Sequence, residues 1–113
     1  MTAKEADGGY RVGYQRDGFV SPVPILSARL ATQFRARLEC AEAAYGELHY
    51  VSKVHTIFHD AAKLATDPRV LDVIEELLGP DILLFDVTYI IKEARTPSYV
   101  SWHQDLTLRS ISI

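Results

Sequence analysis

The sequence has a single cysteine, no long apolar run and no cluster of basic residues. Cys40 has no second cysteine to pair with, so an intramolecular disulfide is excluded and a reducing, cytoplasmic compartment is expected. The longest apolar run, 82–85, has four residues, whereas a membrane-crossing helix needs about 20. The formal net charge is −3 with scattered Lys and Arg, which argues against nucleic-acid binding.

The composition is that of an ordinary globular protein. Apolar residues make up 48% of the chain and charged residues 24%, a balance that favours a folded domain over a disordered chain. The length of 113 residues suffices for one small domain. The stretch 1–16 is polar, rich in glycine and without periodicity, so it is predicted to be weakly ordered, and the folded part is predicted to cover 17–113.

Apolar residues at helical spacing, together with end signals, predict three helices in the first two thirds of the chain. Ser27 is a good N-cap for the first. The third is the best delimited, because Asp67 can cap it, Pro68 suits its first position and Gly79-Pro80 stops it. The three predicted helices cover about 27–45, 53–65 and 67–78.

The pattern changes after the third helix. Residues 82–92 are rich in β-branched and aromatic side chains, which favours a strand. A turn-like stretch containing Pro97 separates it from a second predicted strand, 99–105. The predicted fold class is therefore α+β, with helices first and a sheet that has only just begun where the sequence ends.

The chemistry that stands out lies in the second predicted strand, at His103 and Asp105. Residues two apart in a strand project to the same face, so an imidazole nitrogen and a carboxylate oxygen can converge there on one cation. A second histidine from elsewhere would complete the 2-His-1-carboxylate triad of non-haem Fe(II) oxygenases. The bare His-x-Asp pattern is common in this composition, and a solvated strand with an unrelated His and Asp is the alternative.

The motifs around this pair occur in an order that is more specific than the pair itself. They begin with Asp17-Gly18-Phe19-Val20 and end with Trp102-His103-Gln104-Asp105-Leu106-Thr107. On these motifs, over roughly residues 14–107, the sequence resembles the phytanoyl-CoA dioxygenase family. The intervening motifs are Ser52-Lys53-Val54-His55, Asp67-Pro68-Arg69-Val70-Leu71, Leu78-Gly79-Pro80-Asp81-Ile82 and Ile90-Ile91-Lys92-Glu93.

The resemblance implies a fold, a reaction and a set of site residues. The implied fold is a truncated double-stranded β-helix core, cupin-like or jelly-roll, with helices on one side. The implied reaction is hydroxylation of a small organic substrate by O₂, with Fe(II), 2-oxoglutarate as co-substrate and room for ascorbate as a further reductant. His103 and Asp105 match the first two iron ligands, and Lys53 and Thr88 match positions that contact 2-oxoglutarate. Lys92 shares a predicted strand face with Thr88 and is either pocket-lining or a solvated strand-end lysine.

The sequence departs from the family pattern after Asp105. The family requires a distal second histidine ligand and an arginine that grips 2-oxoglutarate, both well downstream of His-x-Asp, and the sequence ends at Ile113. The chain is therefore expected to be an N-terminal fragment of the enzyme with little or no activity alone. His49, His55 and His59 are the remaining histidines, and the last two are predicted to share a helix face at the i, i+4 spacing of half a zinc site.

Two other functions compete with the dioxygenase fragment. One is a non-catalytic helical and β interaction module with a degenerate metal site. Exposed strand edges of an interrupted sheet would then favour self-association. The other is a cupin-like metal hydrolase or isomerase. The matches at Lys53 and Thr88 favour 2-oxoglutarate chemistry over a hydrolase or isomerase.

Overall fold

A computed structural model describes residues 9–104 of the chain. This part contains four α-helices, separated by loops and one short 3₁₀ turn. No helix within it is long and apolar enough to cross a membrane. The elements are α1 (Tyr10–Asp17), α2 (Ala28–Tyr45), the 3₁₀ turn Val54–Thr56, α3 (His59–Ala65) and α4 (Pro68–Leu78).

The end signals of α2 and α4 act as the sequence predicts. Ser27 Oγ accepts a hydrogen bond from the Leu30 N–H at 3.2 Å and so caps α2. Asp67 Oδ1 accepts the Arg69 N–H at 2.9 Å and caps α4. Pro68 occupies the first turn, where its missing N–H costs nothing. The predicted caps of both helices are confirmed.

The prediction of weak order is wrong for residues 10–16, because Tyr10–Asp17 forms helix α1, and residues 1–8 lie outside the described part of the chain. The glycines suggested disorder, yet tertiary contacts hold this helix against α4. The Arg11 side-chain Nε donates to the Glu76 carbonyl at 2.7 Å, and the Arg11 backbone N–H donates to Glu76 Oε1 at 3.3 Å. Gly18 ends α1 in the left-handed conformation that glycine adopts readily.

The predicted helix 53–65 is two elements. The 3₁₀ turn Val54–Thr56 comes first, Phe58 then takes an extended conformation, and α3 begins at His59. The Phe58 ring lies 6.3 Å from the ring of Tyr89, a contact that favours the break over a continuous helix. The helix face predicted to join His55 and His59 therefore does not form.

The α+β fold class with a double-stranded β-helix core is overturned within residues 9–104. The part predicted as strand 82–92 contributes a single parallel bridge, between His49 and Tyr89, and the described part of 99–105 has no strand. A strand is stable only when its backbone groups find partners, and pairs of strands are marginal even then. Here the partner of 82–92 is an irregular loop, so the segment pairs at one point and no sheet develops.

Little apolar surface is buried in the described part of the chain. The buried hydrophobic residues there are Tyr10, Val54 and Ala61. The 3₁₀ turn packs on α3, α1 packs on α4, and an ion pair between Arg37 and Asp60 ties α2 to α3. By contrast, the large apolar side chains that follow α4 are mostly exposed, among them Leu83, Phe85, Ile90, Tyr99 and Trp102.

The cap of α4 makes part of the helix sensitive to acid. Hydrogen bonds from Arg69 lower the pKa of Asp67 from its ordinary 3.8 to about 2. A carboxyl whose folded pKa is depressed stabilises the fold above its unfolded pKa, and the contribution disappears as the pH falls through the folded value. Because the pKa of Asp67 is shifted downward, wild-type α4 is predicted to lose the stabilisation from its cap between about pH 5 and pH 2.

The variant Asp67→Asn isolates this effect, because asparagine also caps helices but does not titrate. Far-UV circular dichroism measures the helical signal as the pH is lowered. We expect this signal to fall by more in the wild type than in Asp67→Asn over the same pH interval. Superimposable acid titrations of the two proteins would contradict the role given to Asp67.

Candidate functional site

The residues that the sequence assigns to the co-substrate lie where a loop meets a distant extended segment. We name these the 49–54 loop and the 85–91 segment. The Tyr50 N–H donates to the Tyr89 carbonyl at 3.0 Å, and the Val54 N–H donates to the Val87 carbonyl at 3.0 Å. Alternate carbonyls of the segment therefore point to the loop. Because successive residues of extended backbone alternate in direction, the carbonyl of Thr88 points away from it.

Lys53 is held against the 85–91 segment by an aspartate. Its backbone is left-handed, with φ 55°, a conformation that a residue other than glycine adopts at a cost. The Lys53 N–H donates to Asp86 Oδ1 at 2.6 Å, and the Ser52 hydroxyl donates to Asp86 Oδ2 at 3.1 Å. The Lys53 ammonium lies 5.9 Å from the ring centroid of Phe85, within the range of a cation–π contact.

Thr88 is half-buried two residues from Asp86. The structure therefore brings the backbone of Lys53 and the stretch that carries Thr88 into neighbouring positions. Beside Thr88, burial raises the pKa of the Tyr89 phenol, and the charge of Asp60 raises it further. The phenol of Tyr89 is accordingly neutral at neutral pH.

His103 is exposed, and its ring has a defined hydrogen bond. Nδ1 lies 2.7 Å from the Ser101 carbonyl oxygen. A carbonyl oxygen can only accept, so Nδ1 carries the proton and the lone pair of the neutral ring is on Nε2. Histidines that bind metals commonly donate their other ring N–H to a carbonyl or carboxylate in this way. Asp105 lies outside the described residues.

The groove beside His103 is lined by none of the residues assigned to 2-oxoglutarate. The groove beside His103 encloses about 360 Å³ and is lined by its own neighbours, Val100, Ser101 and Trp102. Lys53 and Thr88 do not line it. Within residues 9–104, no three His, Cys, Asp or Glu side chains lie together in a group that could hold a metal ion.

The other histidines occupy three unrelated positions. Nδ1 of His49 accepts the Ile91 N–H at 2.8 Å. His55 is half-buried, and its Nδ1 is buried without a hydrogen-bond partner in the described part of the chain. His59 is exposed at the start of α3. These placements do not assemble the predicted half of a zinc site.

Lys92 lines a small cavity. This cavity encloses about 130 Å³, and neither Lys53 nor Thr88 lines it. Its lining comes from three stretches of chain, His49-Tyr50, Ile90-Ile91-Lys92 and Ser98-Tyr99-Val100. Lys92 is exposed, and its role in lining a co-substrate pocket with Thr88 stays a prediction.

Sequence reasoning missed two residues that organise this region, Asp86 and His49. Asp86 clamps the 49–54 loop, and the signal for it is a lone carboxylate between Phe85 and Val87 in an otherwise apolar run. Such a residue commonly accepts hydrogen bonds from backbone N–H groups. His49 gave no comparable signal, because its partner, Ile91, is 42 positions away.

Comparisons with protein-family models, with curated proteins and with solved structures find no match to this chain. The family resemblance therefore rests on the sequence motifs alone.

Proposed function

We propose that the chain supplies the first two Fe(II) ligands, His103 and Asp105, and part of the 2-oxoglutarate site of a non-haem dioxygenase that acts on a small organic substrate. With O₂, iron held there would convert 2-oxoglutarate to succinate and CO₂ while a C–H bond of the substrate is hydroxylated. A second histidine and a carboxylate-binding arginine from further along the polypeptide belong to the same proposal.

The observation that carries the proposal is the contact between the 49–54 loop and the 85–91 segment. Lys53 and Thr88 are 35 positions apart in the sequence, and both were assigned to 2-oxoglutarate by resemblance. The hydrogen bond from the Lys53 N–H to Asp86 sets the lysine beside the stretch that carries Thr88. The Lys53 ammonium, 5.9 Å from the Phe85 ring centroid, would supply the cation that a dicarboxylate ligand needs.

The ring state of His103 gives independent support. When the ring is neutral and Nδ1 donates to the Ser101 carbonyl, the lone pair that a metal ligand requires is on Nε2. His49 has the opposite arrangement, since its Nδ1 accepts the Ile91 N–H and its proton must sit on Nε2. Of these two histidines, His103 has the tautomer for metal binding through Nε2.

Anaerobic Fe(II) titration by calorimetry tests the proposal. The proteins compared are the 113-residue chain and the same chain extended by its natural downstream sequence, each with and without His103→Ala. We expect weak binding by the short chain and tighter binding by the extended one. His103→Ala should weaken binding by more than about tenfold, because the loss of outer partners of a metal ligand alone typically costs 10–100-fold.

His59→Ala is the matched control, because it removes an exposed imidazole at the start of α3. It should leave Fe(II) binding unchanged. Equal and negligible iron binding by the short and extended chains would overturn the proposal, as would equal losses in His103→Ala and His59→Ala.

The exposed apolar side chains favour one second candidate, a non-catalytic interaction module. Leu83 is 85% exposed, Phe85 64% and Tyr99 79%, and apolar surface of this kind commonly marks a protein contact. A folded 113-residue chain that self-associates identically with and without iron, and binds none, would support the module over the dioxygenase.

A further inference from the structure

The cavity lined by His49 and Lys92 has the features of a small anion site. It lies between the 49–54 loop, the end of the 85–91 segment and residues 98–100. Its volume of about 130 Å³ is well above the roughly 10–15 Å³ that a single water molecule needs. A small polar group with a short apolar extension matches that space.

The His49 ring has a fixed position and a fixed donor. Its Nδ1 accepts the Ile91 N–H at 2.8 Å, and its ring centroid lies 4.1 Å from that of Tyr50. The parallel bridge between His49 and Tyr89 anchors the backbone below the ring. Because Nδ1 is the acceptor, Nε2 carries the proton of the neutral ring and offers a hydrogen-bond donor.

Lys92 is the one residue of fixed formal charge among those that line the cavity. The neighbouring Glu93 is not among the lining residues, and its charge also acts on Arg35 of α2. The pKa of Arg35 is raised first by its bond to Glu39, and Glu93 adds a smaller contribution. The cavity therefore has a net positive lining.

The Ser98 hydroxyl adds neither a charge nor a free donor to the cavity. The Thr96 hydroxyl donates to the Glu93 carbonyl at 2.9 Å, and its oxygen lies 2.7 Å from Ser98 Oγ. The Thr96 proton is therefore used in the bond to the Glu93 carbonyl. Ser98 must then donate the proton in the hydrogen bond between the two hydroxyls. Ser98 orders this wall without adding a charge, and Ile90 and Val100 supply apolar surface.

We propose that this cavity binds a small monocarboxylate through the Lys92 ammonium and the His49 Nε2–H. One cation and one neutral donor match the single charge and two oxygens of a carboxylate better than a phosphate dianion, which needs more donors. The apolar walls suit a short hydrocarbon chain behind the carboxylate. His103, Lys53 and Thr88 do not line this cavity, although Val100 lines both it and the groove beside His103.

Nuclear magnetic resonance titration of the ¹⁵N-labelled 113-residue protein, without metal, tests the proposal. The probes are sodium acetate, sodium butyrate and sodium phosphate, each against sodium chloride at equal ionic strength. We expect saturable shifts of the Ile91, Lys92 and Val100 amides with acetate, and tighter binding of butyrate. Chloride should not reproduce these shifts, and amides of α4 should not move.

The variant Lys92→Gln should weaken acetate binding by about tenfold, the usual effect of losing a charge-assisted hydrogen bond. Lys92→Arg keeps the charge and should keep the binding. Lys63→Gln removes the same charge from an exposed position on α3 and should change the affinity by less than about twofold.

Several results would overturn the proposal. They are equal shifts with chloride, an equal loss of affinity in Lys63→Gln and Lys92→Gln, or shifts spread over α4 as strongly as over the cavity. Tighter binding of phosphate than of butyrate would overturn the carboxylate assignment. The wild-type titration decides these points even if a variant does not fold, and its outcome is independent of Fe(II) binding.

Discussion

Replacing Val54 with aspartate is expected to abolish the fold. Val54 is fully buried, with an exposed fraction of 0%, and it lies where the 49–54 loop, the 85–91 segment and α3 meet. An unpaired carboxylate there costs several kcal/mol, an amount comparable to the 5–15 kcal/mol that stabilises a typical small domain. With so few other buried residues, the described part of the chain has little stability to spare.

The backbone of Val54 adds to this effect. Its N–H donates to the Val87 carbonyl, and its carbonyl accepts the Ile57 and Phe58 N–H groups at 3.1 and 2.8 Å. A side chain that must reach water at this position displaces the turn, and these bonds are lost with it. Far-UV circular dichroism and thermal unfolding should therefore show loss of helix and of a cooperative transition in Val54→Asp.

Ile57→Asp is the matched control, since it introduces the same charge three residues away on a side chain that is 74% exposed. Surface substitutions of this kind usually change the free energy of unfolding by no more than about 0.5 kcal/mol. Val54→Asp with the melting temperature of Ile57→Asp would show that Val54 does not belong to a core.

The local sequence was sufficient to predict where α2 and α4 begin, because the residues that form each cap are close together along the chain. Ser27 bonds to Leu30, and Asp67 bonds to Arg69. The break before α3 was not predictable in the same way. It involves a contact between Phe58 and Tyr89, which lie 31 positions apart, and helical periodicity carries no information about such a partner.

The strand prediction failed for a related physical reason. The side chains of 82–92 have the propensity for extended structure, but a strand also requires a second backbone in register. The 49–54 loop offers two backbone N–H groups, those of Tyr50 and Val54, and then turns away. Propensity predicted the extended conformation, and the missing partner prevented the sheet.

The candidate site likewise has some features that were predicted from local motifs and others that depend on residues far apart in the sequence. The chemistry of His103, Asp105, Lys53 and Thr88 was assigned from motifs, and their roles in iron and 2-oxoglutarate binding stay predictions. The clamp that places Lys53 was not foreseen, because it joins residues 33 positions apart. Residue types predict which chemistry a site can perform, whereas the distances between residues depend on the tertiary structure.

That clamp is the basis of the second large effect, the loss of stability expected in Asp86→Ala. The carboxylate accepts hydrogen bonds from the Lys53 N–H and the Ser52 hydroxyl at 2.6 and 3.1 Å. Hydrogen bonds to a charged group contribute about 1.5–3 kcal/mol when well formed. Since Ser52 and Lys53 are exposed, we expect a loss of about 1–2 kcal/mol in the free energy of unfolding.

Urea unfolding and amide hydrogen exchange separate this effect from a general loss of charge. Ser52→Ala removes only the weaker bond and should cost about 0.5 kcal/mol, with the Lys53 amide still protected. In Asp86→Ala the Lys53 amide should exchange freely, because its left-handed backbone no longer has the acceptor that offsets its cost. Equal protection of that amide in wild type and Asp86→Ala would show that the carboxylate does not hold the turn. The placement of Lys53 beside Thr88 would then have no structural cause.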